Sequence, residues 1–460
     1  MSRLVFYGFA LVLELVIAVS LPSCRSGIGR EELLSSVPRN AVMVKAVNLE
    51  ALCSEAGCSL PSRGDSLSRL SATLADCAVE PDLRGVFSLV VEEGAGNVDF
   101  TTVLSFTSSA GRDVALMGVS SRGALLNGLL RRLPSAGEDA PALTADDGFE
   151  FLQVGGGVVA VRDGVCYISR DLNDIKDAVV HAHTASIQAL TGIAGFFEED
   201  APACIAVNCA RSPLSFLGGE DRWLCVDFKT SQRELTARAR VLSDSGAVDS
   251  IGTRFNTIDP DILRFVPRDV AVLVTFGRFT GNQRSLSMFL GRFMPGYMPQ
   301  ADGSTVLFAT PVGAPDDVAA GRPGSWRVGT VVHLPGAIAD SCIAEYRASA
   351  PPDVRSTGSD MYSYSVDGLE YCFGKYGDYV AFSSGGAVVD GSGGEAYGEL
   401  LRDRRAVMSV SAPAGSLLAR AWRLSGGLSF SLVVHADAVE AKMVVDGESR
   451  TALAVLLSLE

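Results

Sequence analysis

Few residues in this chain are of a type and spacing that could do chemistry. Among only four histidines, His181 and His183 are close enough to suggest a metal pair. On a helix, a two-residue step turns the side chain by about 200°, so the two rings face opposite sides and cannot share an ion. The pattern puts His183 near the apolar face and His181 near the polar one, while His333 and His435 end expected strands. No C-x-x-C pair offers zinc a site, and no Asp-x-Asx-x-Asx-Gly run offers calcium alternating oxygens, so no metal or other cofactor is expected. A nucleophile elbow needs G-x-S-x-G at a strand-to-helix turn. The nearest glycine-flanked serine lies in Gly118-Val119-Ser120-Ser121-Arg122-Gly123, has the wrong spacing, and reads as a helix N-terminus. Gly155 to Gly157 precede a strand, so they lack the helix dipole and free amides that hold phosphate and read as a turn. Carboxylates adjoin at Glu92-Glu93, Asp146-Asp147, Glu198-Glu199-Asp200 and Asp316-Asp317. Acid–base pairs must instead flank a bond from different environments, so these read as solvated loops.

One positive feature remains. Tyr362, Tyr364, Tyr371, Tyr376 and Tyr379 crowd into a short strand meander with Phe373 and Phe382. Tyrosine offers area and a hydroxyl at small entropic cost, which makes these five the candidate ligand-binding residues. The competing reading is a cross-strand aromatic core, because Tyr362, Tyr364 and Val366 alternate onto one face. Setting Cys24 aside, nine of the ten cysteines remain. Cys53 with Cys58, and Cys204 with Cys209, are each five apart, and a periplasmic compartment would permit them to bridge. Most of the nine nonetheless fall on expected apolar stripes and strands, where free cysteine acts as a small hydrophobe.

The elements that position these residues are organised by a repeat. Val37-Pro38-Arg39-Asn40 leads into an apolar run, and Val266-Pro267-Arg268-Asp269 does so again about 229 residues later. Proline cannot continue a helix and holds its predecessor extended, so each copy heads a first strand. In the first half, short helices are expected after Asn48 and Asp65, then a hairpin of strands Gly85 to Glu92 and Val98 to Phe106. A Leu125–Leu133 helix follows, then a meander over 149–154, 158–161 and 165–169 with Asp163-Gly164 as a turn. An Asp171-capped helix, a strand at Ile205 to Val207, and a closing pair at 224–228 and 234–242 complete it. The second half repeats the order: a helix around Leu286 to Phe293, strands 304–310 and 326–333, a helix at Ile338 to Tyr346, and the aromatic meander. A Leu417 helix and the closing pair 428–434 and 439–445 follow. The spacing narrows to about 213 at the meanders and about 204 at the closing strands, so the second copy is trimmed, where glycines replace the Asp171 helix. The expected fold is α+β: two tandem structurally similar domains, 37–250 and 251–460, each an antiparallel sheet with helices on one face.

Ahead of them, Arg3 precedes an apolar run ending in Leu21-Pro22-Ser23-Cys24. Basic flank, apolar core and small residues describe a signal peptide over residues 1–23. Leu three before Cys resembles the lipobox of bacterial lipoproteins, which implies cleavage before Cys24, lipidation of Cys24, and residues 24–36 as a tether. Glu14 would cost an uncleaved span about 2.5–3.5 kcal/mol. A net charge of −14 argues against nucleic acid and against anionic lipid held through basic patches.

Two Pro-headed α+β repeats behind such a signal resemble uncharacterised two-repeat envelope lipoproteins of Bacteroidetes. That resemblance implies an outer-membrane address and transfers no activity. The chain departs from it in having no acidic run after Cys24, leaving the periplasmic or surface face open. The function expected is a non-enzymatic, lipid-anchored binding or scaffolding module of the envelope with a protein or glycan ligand. The alternative is an envelope hydrolase whose site forms only in the tertiary fold.

Overall fold

A computed structural model describes residues 30–458, apart from 64, 134–141, 199–200, 213–220, 250–254, 269, 279–300, 323, 359 and 386–392. Cys24, the signal segment, Asp269 and the helix expected around Leu286 lie outside the described residues. The chain is α+β, and its strands pair antiparallel. It divides into two compact units, one from Val12–Asp249 with Arg450–Glu460, the other from Ser250–Ser449.

The first unit carries β1 (Met43–Val47), β2 (Val98–Thr107), β3 (Asp113–Val119), β4 (Thr144–Asp146), β5 (Phe149–Val154), β6 (Gly157–Arg162), β7 (Val165–Ser169), β8 (Ala203–Asn208), β9 (Arg222–Thr230), β10 (Glu234–Ser243) and β11 (Val248–Asp249). They pair in the order β4-β5-β6-β7-β3-β2-β1-β8-β9-β10-β11. The meander turns as its glycine demands, with Asp163 at φ 50° and Gly164 at φ 78°.

Helices cover both faces of this sheet, which corrects the one-face expectation. Val44 and Ala46 pack with Leu33 and Leu34 of the Arg30–Ser35 helix and with Phe196 and Phe197 of the Thr191–Glu198 helix. Lys45 points the other way, to Glu80 just beyond the Arg69–Ala78 helix. Its cross-strand neighbour Ser105 donates from Oγ to the Ala78 carbonyl at 3.0 Å. The cause is visible in β3, where Val114 to Met117 are all buried: a strand without alternation needs cover on both sides.

Three further expectations change. Residues 84–94 form a helix, not a strand, because Val86, Phe87, Val90 and Val91 share one buried helical stripe. The expected tether contains the Arg30–Ser35 helix, whose Leu33 and Leu34 lie in the core. The C-terminal Ala452–Ser458 helix belongs to this first unit rather than closing the second repeat. Its Ala452 N–H donates to Gln232 O at 2.9 Å, and Ala452, Leu453 and Val455 are buried.

The second unit carries β12 (Val272–Phe276), β13 (Thr305–Pro311), β14 (Trp326–His333), β15 (Arg355–Gly358), β16 (Met361–Val366), β17 (Leu369–Tyr376), β18 (Tyr379–Ser384), β19 (Ala406–Ala412), β20 (Gly427–Val434) and β21 (Val439–Asp446). Their order is β15-β16-β17-β18-β14-β13-β12-β19-β20-β21. One face packs Val331 and Ala381 against Ile262, Leu263 and Phe265. The opposite face packs Val332 and Val380 against Ala339, Cys342 and Ile343 of the Gly336–Ser349 helix. The glycine-rich stretch expected to replace a helix leads into a short one, Gly393–Leu401.

Because Leu34 is 1% exposed, Leu34→Ala should cost about 2–5 kcal/mol of stability, measured by urea unfolding. A change near zero would return residues 30–36 to the role of tether.

Candidate functional site

A cavity of about 470 Å³ opens in the first unit, within the roughly 300–1,000 Å³ range of small-molecule sites. Its walls come from Arg39 and Asn40, the end of the Leu172–Thr184 helix, and the ends of β8, β9 and β10. Arg39 reaches it because the Val37–Arg39 segment is tied down: Ile187 N–H donates to Val37 O at 2.8 Å and Arg39 N–H to Ala185 O at 2.9 Å. Asn40 donates from Nδ2 to Ser109 Oγ at 3.1 Å.

Asp244 joins rim and floor. Its Oδ2 accepts from Arg39 at 3.2 Å, and its Oδ1 accepts from the indole N–H of the buried Trp223 at 3.1 Å. Trp223 stands cross-strand from Asn208, whose Oδ1 accepts the Arg211 N–H at 3.2 Å. The exposed Arg211 guanidinium has no acidic partner among the described residues. The wall thus presents two arginines, two amides, two aspartates and His181 around an apolar floor of Leu190 and Trp223.

Among the described residues of this wall no nucleophile is paired with a base. Thr184 Oγ1 donates to the Val180 carbonyl at 3.2 Å, and His181 Nδ1 meets the Asp177 carbonyl at 2.7 Å. His183, expected near the apolar face, is exposed like His181, because the helix ends within a residue of it. Among the described residues no three His, Cys, Asp or Glu converge as metal ligands, and no helix is long and apolar enough to cross a membrane.

The five candidate tyrosines do not make one surface. Tyr362, Tyr364 and Tyr371 lie on the face under the Gly336–Ser349 helix, with Tyr362 stacked on Phe373 at 5.2 Å and Tyr364 on Tyr371 at 5.4 Å. Tyr346 of that helix closes over Phe373 and Phe382 at 5.9 Å. Tyr376 and Tyr379 point to the opposite face, against Phe265 at 5.4 and 5.0 Å. Strand alternation separates the two groups.

Sequence reasoning missed a second polar cluster, around Tyr379. Its hydroxyl donates to Asp259 Oδ2 at 3.1 Å, Arg264 sits 5.2 Å over its ring, and His333 meets it edge-on at 4.9 Å. His333 Nδ1 in turn pairs with Asp302 Oδ1 at 2.7 Å. Gly303 lies flat under that imidazole, where a Cβ would come within 2.7 Å of Cγ. The His–Asp pair looks like the base half of a triad, yet adjacent Ser304 is buried with Oγ accepting the Asp259 N–H at 2.6 Å. Only the strand-end position of His333 hinted at this cluster.

No family model matches the chain. No curated protein matches it either. The resemblance to the Bacteroidetes lipoproteins therefore rests on the two Pro-headed repeats and the lipobox-like signal ahead of them. Similar solved structures include crystal form IV of TP0453, 10% identical, with a TM-score of 0.27 over 45% of this chain and 79% of that one. Crystal form I of TP0453 is 9% identical, with a TM-score of 0.26 over 47% and 80%. Likeness at this level carries no argument.

Burial, then the Asp259 carboxylate, pushes the Tyr379 phenol up to about 12. A phenol raised above its unfolded value, roughly 10, gives stability that is intact below that pH and is lost as pH rises toward 12. Tyr379→Phe should therefore flatten the fall in urea midpoint between about pH 10 and 12. An unchanged slope would mean that this phenol titrates normally.

Proposed function

We propose that the chain is a lipid-anchored protein of the bacterial envelope, built as two tandem α+β domains of similar design, that binds a small acidic sugar without transforming it. The observation that carries the binding reading is the first-unit pocket, with Arg39 at the rim and Arg211 exposed without an acidic partner among the described residues. A uronate-type sugar suits such a wall. Its carboxylate would take the arginines in a charge-assisted fork, and its hydroxyls would meet Asn40, Asn208, Asp221 and Asp244. Absence of a nucleophile–base pair on the described wall favours binding over hydrolysis. The described His–Asp pair a hydrolase could draw on is Asp302 with His333, and the neighbouring Ser304 hydroxyl is buried and accepts the Asp259 N–H.

The duplication is supported by topology: with β12 set on β1, the two strand orders agree pair for pair from β15 and β4 through β21 and β10. It reaches further back than the proline. Leu33-Leu34 lie four and three residues before Val37, as Ile262-Leu263 do before Val266, and all four are buried. The envelope address rests on Leu21-Pro22-Ser23-Cys24.

Thermal shift and calorimetry with glucuronic acid, glucose and inorganic phosphate test the ligand reading. Glucuronic acid should stabilise the protein where glucose does not, and Arg211→Ala should weaken binding at least tenfold, about 1.4 kcal/mol. Equal responses to phosphate and glucuronic acid would reduce the site to an anion hole, and no response to any probe would remove the pocket as the ligand site. The address has its own test. Cys24→Ala should leave the protein uncleaved and shift its mobility, whereas unchanged size and membrane fractionation would overturn the lipid anchor.

A further inference from the structure

The described cysteines are all unbridged, and most are inert by burial. Burial alone pushes the Cys166 thiol up to about 12 and the Cys342 thiol to about 11. One pair is built differently. The Leu49–Glu55 helix, capped at its start by Asn48 accepting from the Ala51 N–H at 3.0 Å, ends in a tight reversal. Ala56 N–H donates to Leu52 O at 2.9 Å, Gly57 N–H to Ser54 O at 3.1 Å, and Cys58 N–H to Cys53 O at 2.7 Å. With Gly57 at φ 76°, these last two bonds make a Schellman motif, in which the residue after the glycine folds back over the one five before it. A Cβ on Gly57 would meet nothing within 4 Å, so the glycine is needed for its left-handed backbone and not for space. The two positions whose side chains meet in this motif are here both cysteines, and Cys58 helps hold the Cys53 thiol up.

We propose that Cys53 and Cys58 form a reversible intramolecular disulfide that locks the C-terminal turn of the Leu49–Glu55 helix. Cys58 is half-buried and reachable, while Cys53 is 1% exposed, which fixes the order of events. The Cys58 thiolate attacks one sulfur of a small disulfide such as oxidised glutathione, forming a mixed disulfide and expelling one glutathione thiolate. Cys53 then gives its proton to water and attacks the Cys58 sulfur, releasing the second glutathione. Two protein thiols are oxidised and one small disulfide is reduced. Burial and the neighbouring Cys58 hold the Cys53 thiol well above the ordinary range, so Cys53 resolves the mixed disulfide and does not initiate. Cys204 and Cys209 share the five-residue spacing but run out along β8, where five residues span roughly 16 Å, so spacing alone does not make the pair. The inference is independent of the pocket and its ligand.

The test uses the mature chain incubated with oxidised glutathione or with dithiothreitol, then unfolded, alkylated and mapped by mass spectrometry. After oxidation, the segment holding Cys53 and Cys58 should be lighter by two hydrogens and unalkylated, with Cys166, Cys342 and Cys372 alkylated. Cys53→Ser should trap a stable glutathione adduct on Cys58, and the oxidised wild type should unfold at higher urea than the reduced form, a difference lost in Cys58→Ser. Alkylation of both cysteines after oxidation, or a link from either one to Cys77, would overturn the proposal.

Discussion

Pro38 has no N–H to give, so the Val37–Arg39 segment cannot run inside a sheet ladder and has to be held from outside it. The segment that ends the Leu172–Thr184 helix does this. Pro38 bridges Ser186 antiparallel, with Ile187 N–H on the Val37 carbonyl and Arg39 N–H against the Ala185 carbonyl. Val37, fully buried, then seats the chain against the core before β1 begins. Leu33 and Leu34 one turn earlier, and Val44 and Ala46 after it, fall on the same face because Val37 fixes the register. The same tie that orders the core holds Arg39 at the pocket rim. Fold and site share one constraint.

What the sequence made legible follows from local rules. The Asp163-Gly164 turn requires left-handed backbone that few residues accept, and it was visible at once. The closing hairpins alternate and were equally plain. What stayed hidden lacks a local signature. In β3, Asp113 to Val119 combines Ala, Leu and Met with Val in an unbroken buried run, which periodicity cannot assign. Residues 84–94 carry β-branched residues, but their spacing is helical, and composition misled where spacing would have decided. The buried pair Leu33-Leu34 was legible in principle, because Ile262-Leu263 repeats it at the same distance before the second proline.

The pocket was beyond sequence patterning for a different reason. Arg39, His181, Arg211, Trp223 and Asp244 span some two hundred residues, and strand pairing together with the helix-end tie on Val37–Arg39 assembles them. His181 stood out as half of a doubtful metal pair, and its actual neighbour is its own helix's Asp177 carbonyl. The tyrosines erred in the opposite direction. They drew notice as a cluster in sequence, but the period-two geometry of a strand divides such a cluster between two faces.

Under the proposed duplication, the trimmed helical segment explains why the two units differ in chemistry. In the first, Ala185 to Ile187 hold the Val-Pro-Arg head from one side and leave a cavity open beside it. In the second, Tyr397 of the short Gly393–Leu401 helix occupies that role, its hydroxyl donating to the Arg268 carbonyl at 2.8 Å. A ring then stands where the first unit has backbone, and Leu400 and Leu401 pack the adjoining core with it. An aromatic side chain in place of a backbone bridge still holds the head. The strand order is kept in both units, and under the proposed reading ligand capture falls to the first.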